Sequence, residues 1–237
     1  LIKEGTLLVD VGGGSIQLSL YDKKTLITTQ NIMLGSLRIQ EVLQDMQYKT
    51  DNYQNLVYDY ISHGLHTFVQ LYLKSRKVKN IIAMGNQLQS FVKYMTLHHF
   101  GTLKSTDARY EKRNCVNRLE FDDFYKSITS KTPDELAKEL NTSLDKASLL
   151  LPIAMIYRNI LEETDASQIW ISGMTICDGM AADFAEKKEK IAPAFNFTDG
   201  IISTARNIAA RYNSDEPHHR NVEKNCLLLF DAVKKQN

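Results

Sequence analysis

The residues with the clearest chemical potential form the string Asp10-Val11-Gly12-Gly13-Gly14-Ser15. Three consecutive glycines let successive backbone N–H groups converge on one anion with no Cβ in the way. An aspartate at the end of the preceding strand can hold a hydrated divalent cation beside that anion. Together these are the parts of a phosphate site. Glycine triplets also occur in plain turns, and the phosphate reading gains its weight from the position of this one between two segments that read as paired strands.

Those segments are legible from periodicity. Thr6-Leu7-Leu8-Val9 is a short apolar strand ending at Asp10, and Ser15 to Tyr21 alternates, with Ile16, Leu18 and Leu20 seeking the core. After a turn at Asp22-Lys23-Lys24, the segment 25–34 predicts a third antiparallel strand closed by Gly35, with Ser36 capping a short helix. Val57, Ile61, Leu65, Phe68, Val69 and Tyr72 predict a long amphipathic helix over about 52–77, N-capped by Asp51 or Asn52. Val78 to Met84 reads as a buried parallel strand leading through Gly85-Asn86-Gln87 into another helix. Residues 101–131 are polar and poorly periodic, whereas Thr132-Pro133-Asp134-Glu135 is a capping box that opens helices running to about Glu163. Ile169 to Gly173 predicts a last strand and Cys177 to Glu189 a helix. Pro193 marks a connector over 191–198, and two further amphipathic helices follow around Ile202–Tyr212 and Val222–Val233.

Composition narrows the class. With 29 basic against 28 acidic side chains the chain lacks the cationic footprint of a nucleic-acid or membrane-surface binder. Cys115, Cys177 and Cys226 are odd in number, far apart and without metal-ligand spacing, which fits a reducing cytoplasm. No apolar run approaches the ~20 residues of a membrane span. The chain opens without methionine almost inside a strand and is read as a piece of a longer protein.

The strings VDVGGGSIQLSL, NIMLGSLRIQEVL, IIAMGNQLQSF, SLLLPIAMIY and IWISGMTICDGM, in that order, resemble the successive landmarks of the exopolyphosphatase/guanosine pentaphosphate phosphatase family. The first string is specific; the later ones convince through their order. The resemblance implies an α/β fold, an actin-like, ribonuclease H-like lobe with a mixed sheet over 1–190. It also implies that 191–237 begins a helical HD-type domain. By the same resemblance Asp10 is the metal-associated aspartate, for magnesium, and Gly12, Gly13, Gly14 and Ser15 form the phosphate loop. Gly85, Asn86 and Gln87 fall at a second phosphate loop, where the family usually has glycine and then threonine in place of Asn86 and Gln87, so backbone approach to phosphate is less free there. Gln17 stands where the family has a glutamate. It shares the outward face of its strand with Ser15 and could orient a water, but an amide cannot accept the proton. Cys177 stands where an arginine is usual, while Asp178 and Gly179 keep the family pattern.

The activity implied is hydrolysis of terminal phosphoanhydride bonds in inorganic polyphosphate or guanosine pentaphosphate, with no nucleic acid or membrane as partner; a homodimer is an assembly consistent with it. A catalytically degenerate sensor of polyphosphate or nucleotide is the alternative, and an actin-like kinase or ATPase a third reading that lacks an identifiable adenosine pocket. His218 stands at the spacing of an HD-type metal histidine or is a solvated helix-start residue. His98-His99 reads as a helix-end pair facing water, the basic runs 74–79 and 109–113 as solvated faces or a polyanion path, and Trp170 as core.

Overall fold

The computed structural model describes residues 4–23, 25–47, 52–85, 88–98, 114–189 and 197–234. The chain divides into two compact units, Leu1–Phe195 and Asn196–Asn237. The predicted connector around Pro193 and the basic run 109–113 lie outside the described residues.

The first unit is built on six strands: β1 Thr6–Val11, β2 Ile16–Asp22, β3 Thr25–Ile32, β4 Asn80–Met84, β5 Asn114–Asn117 and β6 Gln168–Ile171. They form one mixed sheet in the order β3-β2-β1-β4-β6-β5. β1, β2 and β3 make an antiparallel meander, while β4 and β6 join β1 in parallel. Alternation sets the facing: Leu7, Val9 and Val11 pair with Leu20, Leu18 and Ile16, and all six are buried.

The helices of this unit are α1 Ser36–Gln47, α2 Tyr53–Phe68, α3 Leu88–Leu97, α4 Arg118–Thr129, α5 Pro133–Glu139, α6 Leu144–Ala147, α7 Leu150–Glu162 and α8 Ile176–Glu189. A π turn, Val69–Leu73, continues α2 and keeps Val69, Tyr72 and Leu73 buried. The long predicted helix is therefore present. Its N-cap is Asn52 by position, but the Asn52 side-chain oxygen accepts from the Asn55 amide at 2.5 Å instead of capping the backbone. Thr132 and Glu135 do form the expected reciprocal capping box.

β5 and α4 occupy the stretch that read as polar and aperiodic. β5 is a four-residue edge strand antiparallel to β6, too short to alternate visibly. In α4, Phe121, Phe124, Tyr125 and Ile128 bury at helical spacing behind an Asn117–Glu120 capping box. α7 is the central helix: ten of its residues are buried, and it packs on α1, α2, α3 and α4. Arg118 Nη2 secures its far end, 2.5 Å from Leu161 O and 3.2 Å from both Thr164 O and Ala166 O. Trp170, expected in the core, is only partly buried.

The second unit pairs α9 Phe197–Arg211 with α10 Glu216–Lys234. Ile201, Tyr212, Leu229 and Phe230 lie exposed in it. No described helix is long and apolar enough to cross a membrane.

α1 starts in a way the sequence did not disclose. Ser36 does not cap it with a side-chain acceptor. Its first amides are instead taken by the glycine turn: Ser36 N–H donates to Gly12 O at 2.9 Å, and Leu37 and Arg38 N–H to Gly13 O at 3.0 and 3.3 Å. The contact is so close that a Cβ on Gly35 would lie 2.2 Å from Gly13 O and 2.4 Å from Gly14 C. A Gly35→Ala change should therefore destabilise the chain by ~2 to 3 kcal/mol in urea unfolding, since backbone has nowhere to retreat. Gly14→Ala, where nothing lies within 4 Å and the backbone is not left-handed, should stay within about 0.5 kcal/mol of the wild type. Equal stabilities for the two variants would contradict this account of the turn.

Candidate functional site

Asp10 sits one residue before the end of β1, where three strands come together. Its register partner is Gln17 on β2 on one side and Met84 on β4 on the other, and Gln17 in turn faces Asn31 on β3. Directly paired residues point to the same face, so Asp10, Gln17 and Asn31 form a polar row on the side away from Val9 and Leu18. One step along that face the Ser19 and Thr29 hydroxyls are bonded at 3.0 Å, which shows how near such side chains lie. Gln17 and Asn31 are exposed and Asp10 is half-buried.

The turn between β1 and β2 is closed by Gly12 N–H donating to Ser15 O at 2.9 Å. None of Gly12, Gly13 and Gly14 has a left-handed backbone, so the triplet is not required by φ. Its significance lies in the peptide planes. Among the described residues there is no cis peptide bond, so each C=O of the turn points opposite to the N–H that follows it. The Gly12 and Gly13 carbonyls are directed at the start of α1. The Gly13 and Gly14 N–H groups are therefore directed away from it. Among the described residues neither these two amides nor that of Ser15 has a backbone acceptor. The Leu37 side chain lies against Gly13: a Cβ on Gly13 would be 2.9 Å from its Cδ1.

Gly85 comes to the same place from β4. Its φ of +107° is one that L side chains rarely adopt, and a Cβ there would lie 2.6 Å from Asp10 Oδ1. Asn86 and Gln87, the remainder of the second predicted loop, lie outside the described residues. The end of β6 is tied to β4 by Ser172 N–H donating to Ala83 O at 3.0 Å. Beyond it Thr175 caps α8: its N–H and hydroxyl both donate to Asp178 Oδ2 at 2.7 Å. Those hydrogen bonds hold the Asp178 carboxyl below its usual range and account for the residue as a cap. Cys177, in the first turn of α8, is exposed.

Among the described residues no three metal-ligating side chains cluster. A magnesium ion needs no such cluster, because it binds through one or two carboxylates, keeping water and phosphate oxygens as its other ligands. Asp10, held beside the glycine turn with space conserved for it by Gly85, fits that requirement.

Three residues near this site carried no site assignment from sequence. Gly35 seats the turn, and Asn31 extends the polar row. Tyr157 of α7 is buried, with its hydroxyl donating to Val9 O at 3.2 Å. Asn31 was reachable by pairing β2 and β3 through their turn; Tyr157 carried no such signal.

The remaining histidines resolve differently from one another. His98 is only partly exposed: it stacks on Tyr94 with ring centroids 4.3 Å apart, and its Nε2 lies 2.6 Å from Glu139 Oε1. Lys131 Nζ joins the same group, 2.7 Å from Glu139 Oε2 and 3.0 Å from the Tyr94 hydroxyl. His99 lies outside the described residues. His218 is a helix-start residue whose N–H donates to Asp215 Oδ1 at 3.3 Å. In the basic run 74–79, Lys74 pairs with Glu163 and Lys79 with Glu4, as in a solvated face.

No family model matches the sequence. No curated protein matches it either. Solved structures do. An exopolyphosphatase from Cytophaga hutchinsonii superposes with a TM-score of 0.63 at 12% identity, covering 78% of this chain and 58% of its own. The Aquifex aeolicus Ppx/GppA phosphatase, in its type II variant, gives 0.59 at 13% identity, covering 75% and 56%. A further structure of the Aquifex aeolicus family member gives 0.59 at 14%, covering 78% and 57%. The chain thus spans a little over half the length of the structures it matches. The mixed six-stranded sheet, with Asp10 and the glycine turn at the ends of its strands, has the α/β fold of these Ppx/GppA and exopolyphosphatase structures.

Proposed function

We propose that the chain is the phosphate-binding part of a phosphoanhydride hydrolase, acting on the terminal phosphate of inorganic polyphosphate or guanosine pentaphosphate. One observation carries the reading: the peptide planes at Gly12–Gly13 and Gly13–Gly14 are fixed with their carbonyls on α1 and their N–H groups directed to the opposite side. Donors held in advance lose nothing to reorganisation when a phosphoryl oxygen arrives. Magnesium, held by Asp10, would supply charge neutralisation on the phosphoryl oxygens.

This chain's own residues have limited parts. The Gly13, Gly14 and Ser15 amides bind and orient the anion. Gln17, exposed beside Asp10, can hold a water through its amide but cannot take its proton. The main proton acceptor would be a glutamate outside this chain, and a carboxylate at position 17 would assist it. Residues 1–190 would form the ribonuclease H-like lobe and 191–237 the opening of a helical HD-type domain. A cytoplasmic location and a homodimer belong to the same proposal.

The amide at position 17 also favours a second reading, in which the intact protein binds polyphosphate or nucleotide as a sensor without turnover. The two readings share the turn and differ only in whether water is activated, so they separate cleanly by experiment.

Titration of the chain with pyrophosphate and magnesium should move the Gly13, Gly14 and Ser15 amide resonances ahead of those of distant residues. Gly13→Val should abolish the binding, because its side chain would stand among the donors and against Leu37. Unmoved loop resonances, or an unchanged affinity in the valine variant, would remove the site.

For turnover, the chain alone should release almost no phosphate from polyphosphate, and Gln17→Glu in the intact protein should raise the rate. General-base effects are roughly 10²- to 10⁴-fold, so a partial restoration is measurable. If the wild type, Gln17→Glu and the double change with Cys177→Arg all bind polyphosphate in magnesium and none hydrolyses it, the sensor reading replaces the enzyme.

A further inference from the structure

Tyr157 is a fully buried polar group for which packing alone gives no reason. It lies in the middle of α7, 6.3 Å by ring centroid from Phe91, among the apolar side chains Ile153, Ile156, Ile160 and Leu161 of its own helix. A phenylalanine would fill the same volume, and a buried hydroxyl costs free energy unless it is paired. Here it is paired, and the partner is Val9 O, 3.2 Å away and one residue before Asp10.

The surroundings of the hydroxyl include both strands that reach the site. Burial raises the phenol well above its ordinary range, the Asp10 carboxylate raises it further, and a backbone hydrogen bond with Met84 acts the other way. The hydroxyl therefore stays protonated, a constant donor, through the neutral range. Val9 and Ala83 are register partners, as are Asp10 and Met84. One side chain of α7 thus meets β1 just before Asp10 and β4 just before Gly85.

We propose that Tyr157 is a positioning residue, whose hydroxyl fixes the end of β1 against the end of β4 so that Asp10 and Gly85 address the same bound magnesium phosphoanhydride. The role rests on the phosphate-loop reading above and assigns Tyr157 no contact with ligand. Because Asp10 is the metal-associated group, the effect belongs to the magnesium-dependent part of binding. The glycine turn is held independently by α1, so binding of the bare anion to its amides does not depend on Tyr157.

Calorimetric titration of pyrophosphate into the chain, with magnesium and with EDTA, tests this on the wild type, Tyr157→Phe, Asp10→Asn and the double variant. Tyr157→Phe is expected to weaken magnesium pyrophosphate roughly 3- to 10-fold, the worth of one hydrogen bond, and to leave binding in EDTA unchanged. In the Asp10→Asn background the same change should have no further effect, because the group being positioned is already gone. Tyr157→Met, which likewise removes the hydroxyl and keeps an apolar, adaptable side chain, should show the same magnesium-dependent loss and stands in for the phenylalanine variant should that one not fold. An equal loss with and without magnesium, or in both Asp10 backgrounds, would mean a general packing defect and overturn the positioning role. So would an undiminished affinity. A wild type that binds no magnesium pyrophosphate overturns the phosphate-loop reading and the positioning role with it, a result distinguishable from a wild type that binds and variants that bind equally well.

Discussion

The start of α1 depends on carbonyls that belong to another part of the chain, and the rest of the site follows from that arrangement. A helix begins with amides that have no partner inside it, and burying them unpaired is costly. Here the carbonyls of Gly12 and Gly13 supply the partners for Ser36, Leu37 and Arg38. The same bonds turn the Gly13 and Gly14 amides outward. The positive end of α1 is consequently not offered to a ligand; it is spent on holding the turn, and the turn presents the donors. Gly35 makes the approach sterically possible, since its missing Cβ is the space that Gly13 and Gly14 occupy.

The sheet brings the other components to the turn. Antiparallel pairing of β1 with β2 sets Gln17 beside Asp10, and parallel pairing of β1 with β4 sets Met84 beside it on the opposite edge. A register slip of one residue on either strand would send the polar row into the core and Val9 or Leu18 out of it, so the buried apolar face enforces the site's geometry. α7 closes the arrangement from beneath. Its buried length touches four other helices, and Tyr157 carries that packing to the backbone just before Asp10.

Much of this was legible in the sequence because the responsible signals are local. Alternation in Ile16, Leu18 and Leu20, the glycine triplet and the Thr132–Glu135 capping box each depend on a few adjacent residues, and each has its expected form. Contacts between distant segments were not legible. Nothing near Gly35 in sequence reveals that it meets Gly13, and nothing near Tyr157 points to Val9, 148 residues away. β5 was missed because four residues with a single buried valine make no pattern. α4 was missed despite a readable spacing of Phe121, Phe124, Tyr125 and Ile128, which the charged residues between them obscured. His98 was misjudged because its partner Glu139 lies on a separate helix.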